Sequence, residues 1–369
     1  MSYRTWIEID SQALRHNLKV LRGLLKPETK FLVVVKANAY GHGLKEISEL
    51  AWAEGVTSFG VDSVDDALFL RQKFPTAQII ILGYILKEDL PKVIAADIEF
   101  VVYNQEIIEA IEKISSDKKA LVHLKIETGT SRQGILLNDL QKFIDLINQS
   151  AKIKVVGISS HFSTAEENGE NTFFVQQLEI LKQAEQKILA AGFSPEYVHC
   201  ACSAAILSRP ESHWTLVRSG LITYGCWPSE EIKKMVGEKI QLKPVLSWKT
   251  RIAQIKDLSA GTPIGYGRTE ILKKSSRVAV LPVGYFDGYD RKLSSIGEVL
   301  VKGQRCRVIG LVCMNMMMID VTEVSEIKIE DEVILIGDEI TVDELATKIK
   351  TISYEVLARI RSDLPKIIV

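Results

Sequence analysis

The feature that most restricts the fold of this chain is an alternation of strand-like and helix-like segments from residue 31 to about residue 222. Eight short apolar or β-branched runs recur there: FLVVVKA (31–37), SFGVD (58–62), IIILGY (79–84), EFVVYN (99–104), ALVHLKIET (120–128), VVGISSHF (155–162), YVHCACS (197–203) and LVRSGLI (216–222). Between them lie VDDALFLRQKF, NQEIIEAIEKI, LNDLQKFIDLI and FFVQQLEILKQAEQKILAAG, whose apolar residues recur at three and four, the period of a helix with one buried face. Such alternation builds βα units around a parallel sheet. Eight units predict an α/β fold of the (β/α)8, TIM-like barrel type; an open doubly wound sheet is the other arrangement this pattern allows.

Beyond about residue 240 the helical period disappears, and VLSWKTRIAQI, RVAVLPVG, GEVLVKG, CRVIGLVC, MMMIDV and EVILIG follow one another between Gly and Asp turns. A length of 369 residues exceeds what one hydrophobic core usually organises. The expectation is therefore a barrel over 1–240 and a mainly β domain over 241–369. One helix is predicted inside the second domain, at TVDELATKIK, with Thr341 as its N-cap. RTWIEID at 4–10 alternates like a strand and is a candidate to join the C-terminal sheet instead of the barrel.

Composition sets the class of partner. The 46 basic and 47 acidic residues nearly cancel, so no broad field draws the chain to nucleic acid or to a membrane, and small-molecule chemistry is the expectation. No stretch reaches the ~18 apolar residues of a membrane span, and the first ten residues lack the apolar core of a signal peptide. The five cysteines are odd in number, and Cys200 and Cys202 form C-x-C with no second pair, so they read as buried thiols and not as a zinc set. A cytoplasmic enzyme follows.

In such a barrel the working residues sit where strands end and loops begin. Lys36 closes the first run, Lys125 lies in the fifth ahead of Arg132, His161 ends the sixth, Ser203 the seventh, and Arg218 with Gly220 and Leu221 the eighth. A lysine after three valines is a candidate for desolvation, a lowered pKa and Schiff-base chemistry. By itself, a lysine in that position more often extends its head into water. Ser203 and the Gly220–Leu221 pair lie after strands seven and eight, where barrels often bind phosphate, although Ser203 could equally be a helix N-cap. Arg218 is always protonated; facing a cofactor's pyridine nitrogen it would keep that nitrogen unprotonated and favour brief proton removal and return over decarboxylation. A structural pairing with a barrel carboxylate is its other reading.

VVKANAYGHG resembles the pyridoxal-phosphate lysine motif of the alanine racemase family, and CSAAI, VRSGLITYG, PIGYGRTE, VCMN and ISYEV extend that resemblance along essentially the whole chain. It implies pyridoxal 5'-phosphate as cofactor, with Lys36 as its anchor and as one catalytic base. Tyr40, Ser203, Gly220, Leu221 and Tyr354 would meet the phosphate, Arg218 the pyridine nitrogen, and His161 would also belong to the cofactor site. Tyr266 would be the second base. Racemisation needs a base on each face of the α-carbon, and a tyrosine needs a hydrogen-bonding partner to serve, a role the resemblance gives to His161. Arg132 and Met314 would hold the substrate carboxylate, and Lys125 matches a lysine often carbamylated. The implied assembly is a homodimer that shares its sites, and the implied activity interconverts L- and D-alanine, supplying D-alanine for peptidoglycan. A racemase acting on serine or lysine is the alternative.

Four positions depart from the family pattern: Cys202 for asparagine, Leu311 for arginine, Asn315 for aspartate and Glu166 for aspartate. The last three are expected near the access route and subunit interface, a route Tyr285, Asp287 and Arg291 would line.

Overall fold

In the computed structural model, which describes residues 3–166 and 172–369, the first strand is β1 (Thr5–Ile9). It is followed by β2 (Lys30–Val34), β3 (Ser58–Val61), β4 (Gln78–Ile81), β5 (Glu99–Val102), β6 (Ala120–Lys125), β7 (Ile153–Ser159), β8 (Tyr197–His199) and β9 (Leu216–Ser219). From β2 to β8 each strand pairs in parallel with the next, and β9 returns to pair with β2. Between β8 and β9 two other bonds stand in for a ladder. The Arg218 N–H donates to the Ala201 carbonyl at 3.0 Å, and the Val198 N–H to Thr215 Oγ1 at 2.8 Å. The result is the nearly closed eight-stranded barrel that the eight runs predict.

The runs are continuously apolar because both faces of each strand are covered. Leu32, Val34, Ile80, Tyr197 and Leu216 form a cluster on the inner face, whereas Val33, Phe59, Val61, Ile79 and Ile81 belong to the larger core beneath the helices. Helices Val64–Lys73, Gln105–Glu112, Leu140–Asn148 and Thr172–Ala190 occupy the four periodic stretches.

The C-terminal part is a nine-stranded sheet. Strand β1 is built into it, antiparallel to β10 (Leu246–Arg251) and parallel to Lys366–Ile368. Trp248 Nε1–H donates to Thr5 Oγ1 at 3.0 Å across the first of these pairings. The expected helix spans Val342–Lys348, and Thr341 Oγ1 accepts the Glu344 N–H at 3.2 Å. A second helix, Ser353–Ala358, was not expected from the sequence: six residues are too few to show a helical period. Among the described residues no helix is long and apolar enough to cross a membrane.

Candidate active site

Lys36 leaves the mouth of the barrel just after β2, and the backbone then turns left-handed for four residues, Ala37 to Tyr40, with φ of 51° to 55°. Non-glycine residues avoid this region because Cβ crowds the next carbonyl, so the turn needs support. His42 Nδ1–H donates to the carbonyls of Ala39 (3.0 Å) and Tyr40 (2.9 Å), and Asn38 Oδ1 accepts the Leu44 N–H at 2.9 Å. The His42 ring is buried and stacks on Tyr224 at 4.4 Å between centroids. The ANAYGHG run is therefore a clamp that turns the Tyr40 ring toward Gly220, Tyr224 and Tyr354.

The expectation that Lys36 is desolvated is not met. Its side chain is 41% exposed, and Nζ lies 3.8 Å from Asp62 Oδ1. The mouth is open there, and the loop after β3 delivers a carboxylate that the sequence reading missed.

Beside it, after β8 and the neighbouring strand β9, stands a cradle of donors. The Gly220 N–H donates to Ser203 Oγ at 3.2 Å. Ser203 is the first residue of helix Ser203–Ser208, and Cys202 holds the N-cap position, so Ser203 is not the cap that was its alternative reading. A methyl group on Gly220 would meet the Tyr40 hydroxyl at 2.7 Å, and the Tyr40 and Tyr354 rings lie 5.9 Å apart. Burial, with Cys202 and Asp62 nearby, lifts Tyr40 to about 12, and burial with Cys202 and Tyr40 raises Tyr354 further. Both phenols thus stay protonated as donors. Protonated hydroxyls beside backbone N–H groups suit a phosphate monoester, so the residues present fit the phosphate of pyridoxal 5'-phosphate.

Arg218 lies between cradle and core, 7% exposed. Nη1 donates to His199 Nδ1 (2.5 Å) and the His199 carbonyl (2.9 Å); Nη2 donates to the carbonyls of Ser160 (2.7 Å) and Cys200 (3.3 Å) and to His161 Nδ1 (3.3 Å). Nε–H is the donor of this guanidinium without an acceptor among the described residues. The chain of bonds continues inward: His199 Nε2–H donates to His123 Nδ1 (3.0 Å), and His123 Nε2–H to Glu99 Oε2 (2.8 Å). With an obligate donor at one end and a carboxylate at the other, each imidazole has one tautomer that satisfies its neighbours. Gly157 makes the room, since a Cβ there would lie 1.9 Å from His123 Nδ1. Arg218 accordingly does not pair with a barrel carboxylate directly, but reaches one through two histidines.

The same logic fixes His161. Its Nδ1 faces Arg218, which leaves Nε2–H as a donor, and burial together with the Arg218 and Lys125 charges lowers its pKa far enough to keep it neutral. Lys125 is buried, and desolvation with Arg218 and Arg132 beside it holds its pKa well below the usual lysine range. Arg132 is exposed on the loop after β6. The carboxylate of Glu127, another residue missed in the sequence, accepts the backbone N–H groups of Gly129 (2.5 Å) and Arg132 (3.3 Å).

Tyr266 is 72% exposed and Met314 54% exposed. Among the described residues no hydrogen bond ties Tyr266 to His161 or Lys36. Tyr285 is 42% exposed, whereas Asp287 is fully buried, paired with Arg361 Nη1 at 2.9 Å and accepting the Gly284 N–H at 3.0 Å. Asp287 therefore shapes a turn and does not line an access route.

Comparisons with known proteins agree along the full length. The family model for the alanine racemase N-terminal domain matches residues 9–228 and that for the C-terminal domain matches 245–368. This chain belongs to the alanine racemase family. It is 36% identical to the alanine racemase of Methanococcus maripaludis, covering 100% of this chain and 99% of that one. It is 38% identical to that of Clostridium perfringens, covering 98% and 94%. Among solved structures, alanine racemase of Clostridium difficile 630 superposes with a TM-score of 0.94 at 33% identity, covering 100% and 96%. The Bacillus anthracis alanine racemase, solved with bound L-Ala-P, gives 0.94 at 31% identity over the same shares. These racemases share both the barrel and the β domain.

Proposed function

We propose that this protein interconverts L- and D-alanine with pyridoxal 5'-phosphate, in the cytoplasm, as a homodimer whose sites are shared between subunits. The reading assigns residues 1–240 to the cofactor-binding barrel, with β1 lent to the other domain, and 241–369 to the domain that delivers the second base. The observation that carries it is Arg218, buried at the end of β9 with its Nη protons committed to His199, His161 and the carbonyls of Ser160 and Cys200, which leaves Nε–H as its uncommitted donor among the described residues. A guanidinium there keeps a pyridine nitrogen unprotonated, which suits proton exchange better than decarboxylation.

When bound, the cofactor acidifies the α-proton of an amino acid joined to it. Lys36 anchors it and serves as the base on one face of the α-carbon, while Tyr40, Ser203, Gly220, Leu221 and Tyr354 bind its phosphate. Tyr266 of the partner subunit serves the other face, and the His161 Nε2–H stabilises the phenolate that a tyrosine base requires. Arg132 and the backbone N–H of Met314 of the partner subunit hold the substrate carboxylate. A neutral Lys125 amine can add CO2 with loss of a proton, and the carbamate anion would balance Arg132 and Arg218.

The test is purified protein incubated with pyridoxal phosphate. It is expected to turn yellow and to equilibrate L- and D-alanine, and a protein that stays colourless ends the cofactor assignment. Lys36→Ala should abolish turnover in both directions. Tyr266→Phe should stop exchange of the α-proton of L-alanine with solvent while the yellow complex persists; full turnover in both directions would refute the second base. A panel of L-amino acids decides between alanine and a broader range.

A further inference from the structure

The loop that carries Arg132 is folded around a single side chain. Glu127 Oε1 accepts the Gly129 N–H and Oε2 the Arg132 N–H, and with the N–H groups of Thr130 and Ser131 close by, these donors lower the pKa of the carboxylate against the opposing effect of its partial burial. Backbone donors from both ends of the 129–132 turn meeting on one anion have the character of a nest, with Gly129 at φ 139° and Ser131 at φ 53°. The base of the loop is closed by the Ile126–Ile135 bridge. At Gly134 a Cβ would lie 2.5 Å from the Glu127 nitrogen. On its far side the loop is fastened to the end of β7: Thr130 Oγ1 donates to the His161 carbonyl at 2.7 Å, and Thr128 Oγ1 bonds Ser160 Oγ at 2.8 Å. The Arg132 guanidinium lies near enough to Lys125 and His161 for its charge to lower both.

We propose that Glu127 is a positioning residue for the substrate-carboxylate site: its carboxylate is the template on which residues 128–132 fold, and it thereby fixes where Arg132 presents its guanidinium. This rests on the reading of Arg132 as the substrate's carboxylate partner. An internal anion occupying the backbone donors also leaves the Arg132 guanidinium as the donor available to an external carboxylate. A glutamine would keep the volume but turn an amide NH2 toward backbone N–H groups and remove the charge they converge on.

The experiment compares holoenzyme carrying Glu127→Gln, Glu127→Asp and Arg132→Ala, measuring KM and kcat for L-alanine and inhibition by propionate, a carboxylate without the amino group. For Glu127→Gln, KM and the propionate inhibition constant should rise together by about ten- to a hundredfold, the scale of a misplaced contact, with kcat and the colour of the bound cofactor little changed. Glu127→Asp keeps the charge, and should show a smaller rise with the same split; it also supplies the reading if Glu127→Gln does not fold. If folded Glu127→Gln, or folded Glu127→Asp in its place, leaves both constants at the wild-type value, or loses kcat alone, the proposal is overturned. If Arg132→Ala leaves alanine KM and propionate inhibition unchanged, the Arg132 assignment itself fails, and Glu127 with it.

Discussion

Two glycines hold open space that neighbouring side chains need, and they differ in what a methyl group would push against. At Gly157 it would meet His123, whose ring is bonded at both nitrogens within the Arg218–His199–His123–Glu99 chain. Gly157→Ala should destabilise the protein by about 1–3 kcal/mol as an overpacked core. It should also lower kcat, because the displaced histidines no longer hold Arg218. Thermal melting and steady-state kinetics on the same sample check both. At Gly220 the obstacle is the Tyr40 hydroxyl, the far end of a side chain, so Gly220→Ala should weaken pyridoxal phosphate affinity, read by fluorescence titration, while the melting temperature of the cofactor-free protein changes little.

At the scale of elements, the left-handed turn and the helix Ser353–Ala358 depend on each other. Left-handed backbone costs about 1–2 kcal/mol per non-glycine residue, and here it is offset by the His42 and Asn38 bonds and by close packing. A Cβ on Gly41 would lie 2.3 Å from the Leu357 carbonyl oxygen, so Gly41→Ala should drive apart the two elements that supply Tyr40 and Tyr354. Both stability and cofactor affinity are expected to fall, unlike for Gly220→Ala; an unchanged melting temperature would count against the coupling. These elements also mark where the sequence was readable. The barrel strands were legible because burial on both faces gives each an unbroken apolar run, and β1 because its alternation needs one covered face. The helix around Tyr354 is too short for a period. Glu127 and Asp62 were hidden because a carboxylate that serves backbone N–H groups or a distant lysine leaves no spacing pattern. His123 and His199 gave no signal in the sequence, since their bonds cross between strands far apart along the chain. Asp287 was misread because an exposed-looking motif conceals a buried pair with Arg361.

For the whole molecule, histidines whose protonation burial opposes set a dependence on acid. His42, lowered to about 4 chiefly by burial, and His161 and His199, held well below the usual histidine range by burial and then by Arg218, remain neutral when folded. In the unfolded chain each titrates near ~6.5. Below that pH the unfolded state binds protons the folded state refuses, so stability is full above ~6.5 and declines as pH falls toward the folded values. His42 alone accounts for about 3 kcal/mol by pH ~4. Urea midpoints should drop between about pH 7.5 and 5, before carboxylates such as Glu344, held near 2 by Arg305 with Lys348, begin to matter; a flat profile would contradict the neutral assignment.

If, as proposed, the exposed Tyr266 serves the site of the partner subunit, a genetic consequence follows. Two inactive alleles, one lacking Lys36 and one lacking Tyr266, should complement each other when expressed together. In a mixed pair of subunits both lesions fall in the same site, and the other site receives an intact lysine from one chain and an intact tyrosine from the other. If each subunit used its own tyrosine, no mixture would recover activity.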